Sequence, residues 1–294
     1  MKKIILTILL GAFVVSLLLA FLLTKHDQGF AFGDKIAVVN VHGGISLSGA
    51  TGFLGGDQAT PQKFKEGLKK AEKDSSVKAI LVDINSPGGS VVASAAIAEA
   101  IKEAEKPTVC WLGEIAASGG YYVASACDFI IADRATITGS LGVISVFPEY
   151  SKFLEKIGVN ITVIKAGEFK DFSSGFRPMS DEEKEMMESV VLETYDVFLS
   201  DVAENRNLSF DYLKSVAEGK IYTGSKAKEL GLVDEVGNRD YAIRKAAQLG
   251  GIEGEPSLVE YRKGTFLEEF VGVALERFGY GLAKGLVEQR AILH

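Results

Sequence analysis

The apolar positions of this chain fall into one long unbroken block followed by many short ones. From Ile4 to Leu23, twenty consecutive positions carry no charge. At ~1.5 Å rise per residue they reach ~30 Å, the thickness of a bilayer core, so they predict a membrane-spanning helix. Lys2 and Lys3 precede the block and no small-x-small cleavage site closes it. Residues 1–25 therefore read as an uncleaved anchor with its N-terminus in the cytoplasm and everything after Lys25 outside. The apolar run KIAVVNV at 35–41 predicts a buried strand, and the stretch from Gly43 to Thr60, rich in Gly, Ser and Thr without a period, predicts a loop with room for a mobile lid. Residues 26–60 thus form a strand and flexible loop leading into the core.

A short-period pattern then repeats. A helix is expected near 61–73, a strand at 77–84, the turn NSPGG at 85–89, an Ala-rich helix at 91–105 and a strand from 108 toward 118. Further strands are expected at 129–132, 141–146 and 159–164, with a helix at 149–157 between the last two. Strands alternating with helices predict an α/β fold with a mostly parallel sheet covered by helices. After an irregular segment, Ser180 followed by Asp181, Glu182 and Glu183 reads as a cap and an acidic first turn that open a helix to about Asn205. From there to 248 the pattern is helical, with IYTG at 221–224 introducing a short helix that stops at Gly231. One more strand is expected at 257–261. The main domain is taken as 35–262 and the rest, 263–294, as an amphipathic helix. Its apolar positions Phe266, Phe270, Val273, Phe278 and Leu282 suit packing against the body or another subunit better than lying on a membrane.

Composition narrows the function classes. With 47% hydrophobic and 24% charged residues over 294 positions, the chain can bury an ample core. A net charge of −7 without a basic stripe argues against nucleic acid as a partner. Cys110 and Cys127 lie in apolar surroundings without C-x-x-C spacing, which favours buried thiols over a disulfide or a metal site and leaves the redox compartment open. The glycine pairs lack G-x-G-x-x-G or Walker spacing, so neither a metal nor a nucleotide cofactor is expected.

The candidate chemistry centres on IAASGGYYVA at 115–124. A Ser between small residues, followed by two Gly where a strand should turn into a helix, is a good mount for a nucleophile. The plainer alternative is that Ser118 only caps the helix. A base is needed beside it. Of the three histidines, His26 flanks the anchor and His294 ends the chain, both badly placed, while His42 could approach but, beside a glycine turn, suits a surface or capping role better. A lysine serves as general base only where a cramped or apolar setting makes its proton easier to lose, and Lys170, between Phe169 and Phe172, offers such a setting. PGG at 87–89 and Gly119 supply glycine turns whose N–H groups can approach a developing oxyanion.

Five stretches in order, NSPGGSV at 85–91, AASGGYYVA at 116–124, TGSLGVI at 138–144, KAGEFKD at 165–171 with FRPMS at 176–180, and EGKIYTGSKAKELGLVDE at 218–235, resemble the signal peptide peptidase A family. These are membrane-anchored serine proteases with a crotonase-like fold also seen in the ClpP peptidase. The resemblance covers about 35–237 and implies a crotonase/ClpP-like βαβ superhelix. It implies Ser118 as nucleophile, Lys170 as general base, Gly88 or Gly89 as oxyanion donors supported by Gly119, and Ser140 as a second serine that holds or relays through the lysine. Glu168-Phe169 and Lys220 stand where relatives often carry Lys-Tyr and Arg, changes that leave Ser118 and Lys170 untouched. The implied protein is a single-pass endopeptidase of the plasma membrane. Its catalytic domain would be extracytoplasmic, cleaving signal peptides left after secretion and forming closed homo-oligomers with sites where neighbours meet. A crotonase-type acyl-CoA enzyme and a non-catalytic membrane scaffold are the alternatives.

Overall fold

The computed structural model describes residues 33–48 and 58–261. The expected anchor at 4–23, half of the expected lid (49–57) and the C-terminal amphipathic helix lie outside the described residues. Among the described residues no helix is long and apolar enough to cross a membrane.

Strand β1 (Lys35–His42) leads, after the loop, into helix α1 (Pro61–Lys73). Thr60 caps α1 by accepting the Lys63 N–H at 3.2 Å, with Pro61 in the first turn where its missing N–H costs nothing. Phe64, Leu68 and Ala71 form its buried face. Next come β2 (Val77–Ser86), α2 (Val91–Lys102) capped by Ser90, β3 (Thr108–Ala117) and the short helix α3 (Gly119–Ser125). They are followed by β4 (Phe129–Ala132), β5 (Ile137–Gly139) and α4 (Ser151–Lys156). The last part comprises α5 (Asp181–Arg206), α6 (Phe210–Val216), β6 (Ile221–Thr223), α7 (Gly224–Glu229), β7 (Glu235–Val236), α8 (Arg239–Leu249) and β8 (Ser257–Glu260).

The sheet runs β6-β5-β3-β2-β1-β8 and every pairing but β5–β6 is parallel. Strand β3 forks. Its first half, Val109–Leu112, pairs with β4, while Ile115–Ala117 pairs with β5. Helices cover both faces. Phe64, Leu68, Ile97, Ile101, Tyr122 and Phe198 pack on one side. Ile36, Val38, Leu81, Val109 and Ile131 meet Ala242 and Ala246 of α8 on the other. Burial on both sides explains why β1 and β2 read as continuous apolar runs and not as alternating ones.

The structure departs from the sequence expectation in three places. The stretches 141–146 and 159–164 form no strand within this chain, although their β-branched residues favour one. They find no partner strand here, and Ile144 and Ile164 are left 86% and 96% exposed. The sheet instead takes in the three-residue β5 and β6, the latter using the IYT that introduces α7. Finally, Cys110 and Cys127 are joined in a disulfide, not kept as separate thiols. Cys110 in β3 and Cys127, two residues past α3, have their Cα atoms 5.9 Å apart, within the range a disulfide spans.

Candidate active site

Ser118 stands between β3 and α3 with φ 53° and ψ −122°, a conformation that a residue with a side chain rarely adopts. Its N–H donates to the Gly139 carbonyl at 2.8 Å and its carbonyl accepts the Tyr122 N–H at 2.9 Å. It occupies the N-cap position, yet its hydroxyl makes no capping bond. The capping alternative therefore fails to account for a serine here.

The glycines around it are required by contact. An ideal Cβ on Gly88, at φ +100°, would lie 2.6 Å from the Gly119 nitrogen and 2.9 Å from the Ser118 Cβ. One on Gly89 would lie 2.1 Å from the Ile45 carbonyl oxygen. Ile45 brackets this turn, donating its N–H to the Gly88 carbonyl at 2.9 Å and accepting the Ser90 N–H at 2.9 Å. The Gly88 N–H is spent on Ser86 Oγ at 3.1 Å. The N–H groups of Gly89 and Gly119 have no acceptor among the described residues. The two are close, since a Cβ on Gly119 would come within 3.2 Å of the Gly89 nitrogen. This pair can meet an anionic oxygen beside Ser118, whereas Gly88 supplies the close approach.

Ser140, half-buried, follows Gly139 at φ 52°. Its N–H donates to the Lys220 carbonyl at 2.7 Å, and the Gly219 N–H donates to the Leu141 carbonyl at 2.8 Å. The 218–220 turn thus pins Ser140 one residue from the carbonyl that holds Ser118. Helix α3 is anchored from below: the Tyr121 hydroxyl donates to the Leu232 carbonyl at 2.7 Å, and Tyr122 stacks on Phe198 at 4.8 Å while its hydroxyl bonds Asp201. Burial pushes both phenols up, so they stay neutral donors.

Lys170 lies elsewhere. A single 3-10 turn, Glu168–Asp171, carries it on the exposed side of the segment between β5 and α5. Its ammonium makes no hydrogen bond or ion pair with a described residue, and the cramped setting expected of it is missing within this chain. The turn itself is firmly held. Asp171 accepts from Lys165 Nζ at 2.6 Å and from Arg177 Nη2 at 2.6 Å, and Arg177 grips Glu183 with two bonds of 2.8 and 2.6 Å. Arg177, and then Lys165, hold the Asp171 carboxyl well below the usual carboxylate range. Arg177 likewise lowers Glu183 to about 2, and Glu183 closes a capping box with Ser180. His42 is engaged with other groups: its Nε2 pairs with Asp83 Oδ1 at 3.1 Å, and Arg239 Nε, at the start of α8, holds the other Asp83 oxygen at 2.9 Å. That hydrogen bond raises the His42 pKa against the opposing effect of burial.

Sequence reasoning missed Ser86, Ile45 and the 218–220 turn. Ser86 was within reach, because it stands inside NSPGG and is fully buried. The other two act through backbone atoms brought together by the fold.

The sequence pattern of peptidase family S49 matches residues 100–253, and that of the Clp protease matches 56–137. A protein of Methanocaldococcus jannaschii that carries a protease name is 40% identical over 291 residues, covering 96% of this chain and 91% of the relative. The chain belongs to peptidase family S49. Other S49 relatives include an Enterococcus faecium protein named for signal peptide peptidase SppA, 36% identical over 80% of this chain and 69% of that protein. Protease 4 of Haemophilus influenzae is 37% identical over 81% of this chain but only 37% of its own length. Among solved structures, a mutant of the membrane-bound stomatin-specific protease 1510-N shares the fold at a TM-score of 0.52. It is 14% identical and covers 79% of this chain and 99% of that one. Membership in S49 makes the chain a serine peptidase and sets aside the acyl-CoA and scaffold alternatives.

Gly120 gives a test of this S49 site's packing that leaves its reacting groups alone. A Cβ there would sit 2.6 Å from the Ser86 carbonyl oxygen, a backbone atom fixed in β2. Gly120→Ala is expected to cost about 1–3 kcal/mol and lower Tm by roughly 2–12 °C in thermal unfolding. An unchanged Tm would show that α3 does not press on β2 as described.

Proposed function

We propose that this chain is a membrane-tethered serine endopeptidase that cleaves apolar peptides, namely signal peptides left after secretion, through Ser118 and Lys170. Ser118 Oγ attacks the scissile carbonyl carbon and its proton passes to the Lys170 amine. The oxyanion is met by the Gly89 and Gly119 N–H groups. Collapse expels the new amine, which takes the proton back from Lys170, and water then releases the acyl group by the same route. Ser140, pinned beside Ser118, holds the lysine and passes the proton. The observation that carries this reading is the Ser118 hydroxyl, held at a costly φ and spent on no cap.

The lysine comes from a neighbouring copy in a closed homo-oligomer. Lys170 is exposed and unpaired among the described residues, and the β-branched stretches on either side of α4, which pair with no described strand, offer strands to another subunit. The N-terminal apolar block anchors the chain once in the plasma membrane with the catalytic domain outside, and the Cys110–Cys127 disulfide suits that oxidising side. The relatives named for signal peptide peptidase support the substrate class.

The test is a fluorophosphonate probe located by mass spectrometry. The expected adduct is on Ser118 alone. A protein that cleaves a synthetic signal peptide while Ser118 stays unlabelled would overturn the assignment.

A further inference from the structure

The disulfide brackets the nucleophile. Cys110 lies eight residues before Ser118 and Cys127 nine after it, so the bond closes β3, the strained turn and α3 into one covalent loop with Ser118 at its apex. Both cysteines are buried. Cys110 sits in mid-strand between Val82 and Ile130, and Cys127 donates its N–H to the Ala124 carbonyl at 3.1 Å at the base of α3. The bond therefore sets the distance between the strand that delivers Ser118 and the helix that leaves it.

One residue beyond Cys127 the same hairpin is tied a second time. Asp128 accepts the Thr108 N–H at 2.8 Å and the Thr108 hydroxyl at 2.9 Å, and the Asp128 N–H donates to Thr108 Oγ1 at 3.0 Å. With that tie and the Tyr121 and Tyr122 anchors in place, opening the disulfide leaves the hairpin assembled. Two thiols need more room than one disulfide, and this core is close-packed. The strain of relieving that crowding falls on the base of α3, and the other end of α3 begins at Ser118, already held at an unfavourable φ and ψ.

We propose that Cys110 and Cys127 are positioning residues for Ser118, and that efficient turnover requires their disulfide. The inference rests on Ser118 as the nucleophile. The interconversion is ordinary exchange. One thiolate of a dithiol attacks a sulfur of the pair to form a mixed disulfide, and its second thiol then displaces that sulfur. Two electrons and two protons end on Cys110 and Cys127, and the reagent leaves as a cyclic disulfide. Since a displacement of ~1 Å at a reacting atom can cost ~100-fold, reduction is expected to lower kcat by roughly 10–100-fold with KM changed far less.

The experiment uses the full-length protein in detergent, with and without dithiothreitol. Thiols are counted by alkylation and mass, and activity is read as kcat, KM and the fluorophosphonate labelling rate of Ser118. The expected result is no free thiol before reduction and two after, with kcat and labelling falling together, circular dichroism unchanged, and activity regained on reoxidation. Cys110→Ala with Cys127→Ala should be slow from the start and indifferent to dithiothreitol. The proposal is overturned if the reduced protein keeps kcat within twofold, if the fully active protein already holds two free thiols, or if kcat is lost only together with the circular dichroism signal. The last outcome would make the bond a stabiliser alone. If the oxidised, active protein is never labelled at Ser118, the nucleophile assignment fails instead, a result that the thiol count keeps separate.

Discussion

Ser118→Ala is expected to lower peptidase kcat by roughly 10⁴–10⁶-fold and to abolish fluorophosphonate labelling, leaving the residual rate that oxyanion and binding groups give by themselves. The fold should survive. The hydroxyl makes no capping bond, and the backbone bonds that hold the turn, to Gly139 and from Tyr122, do not involve it. Thermal unfolding of the variant should therefore match the parent closely. Ser118→Gly should be equally inactive and more stable, because glycine accepts φ 53° without strain of about 1–3 kcal/mol. A serine retained only for capping predicts near-normal turnover for both variants and a measurable loss of stability for Ser118→Ala.

Lys170→Met is expected to be as inactive as the serine variant, with its fold untouched, since the exposed lysine has no partner among the described residues. The larger effect appears on mixing. When inactive Ser118→Ala and Lys170→Met proteins exchange subunits in equal amounts, about one quarter of the interfaces pair an intact serine with an intact lysine across a closed ring. Peptidase activity should rise from background toward that fraction of the parent rate. Failure to recover, with exchange demonstrated by differently tagged subunits, would place both residues in one chain.

Much of this protein was legible because its early strands are buried on both faces and its glycines obey local rules. The runs at 35–41 and 77–84 are β1 and β2, and the small-residue turn at 118 falls where a strand meets a helix. The failures have a common physical cause, which is that the outcome depends on contacts made in the folded structure and not on the local pattern. Residues 141–146 and 159–164 have strand-like side chains but pair with no strand among the described residues. Strands β5 and β6 show no periodicity because three residues cannot: Ile137–Gly139 is a strand because it lies between Ile115–Ala117 of β3 and Ile221–Thr223, and the latter because it meets β5. The disulfide depends on where α3 turns back against β3, which spacing along the chain does not encode. That the Gly88 N–H is already taken by Ser86 Oγ, while the Gly89 N–H is not, is likewise a contact of the fold that the glycine pattern does not carry.

The pairing of β1 with β8 sets a timetable for folding during synthesis. Lys35 through Val38 hydrogen-bond on one side to β2, made soon after, and on the other to Ser257–Glu260, the last strand described. At roughly 5–20 residues per second, some 10–45 seconds separate the emergence of the two partners. Throughout that interval one edge of an apolar strand stands open, the kind of surface that invites chaperones or adhesion to another nascent chain. Chains released before residue 257 would keep that edge, so their fate should be clearance rather than assembly, whatever the state of the already completed Ser118 turn.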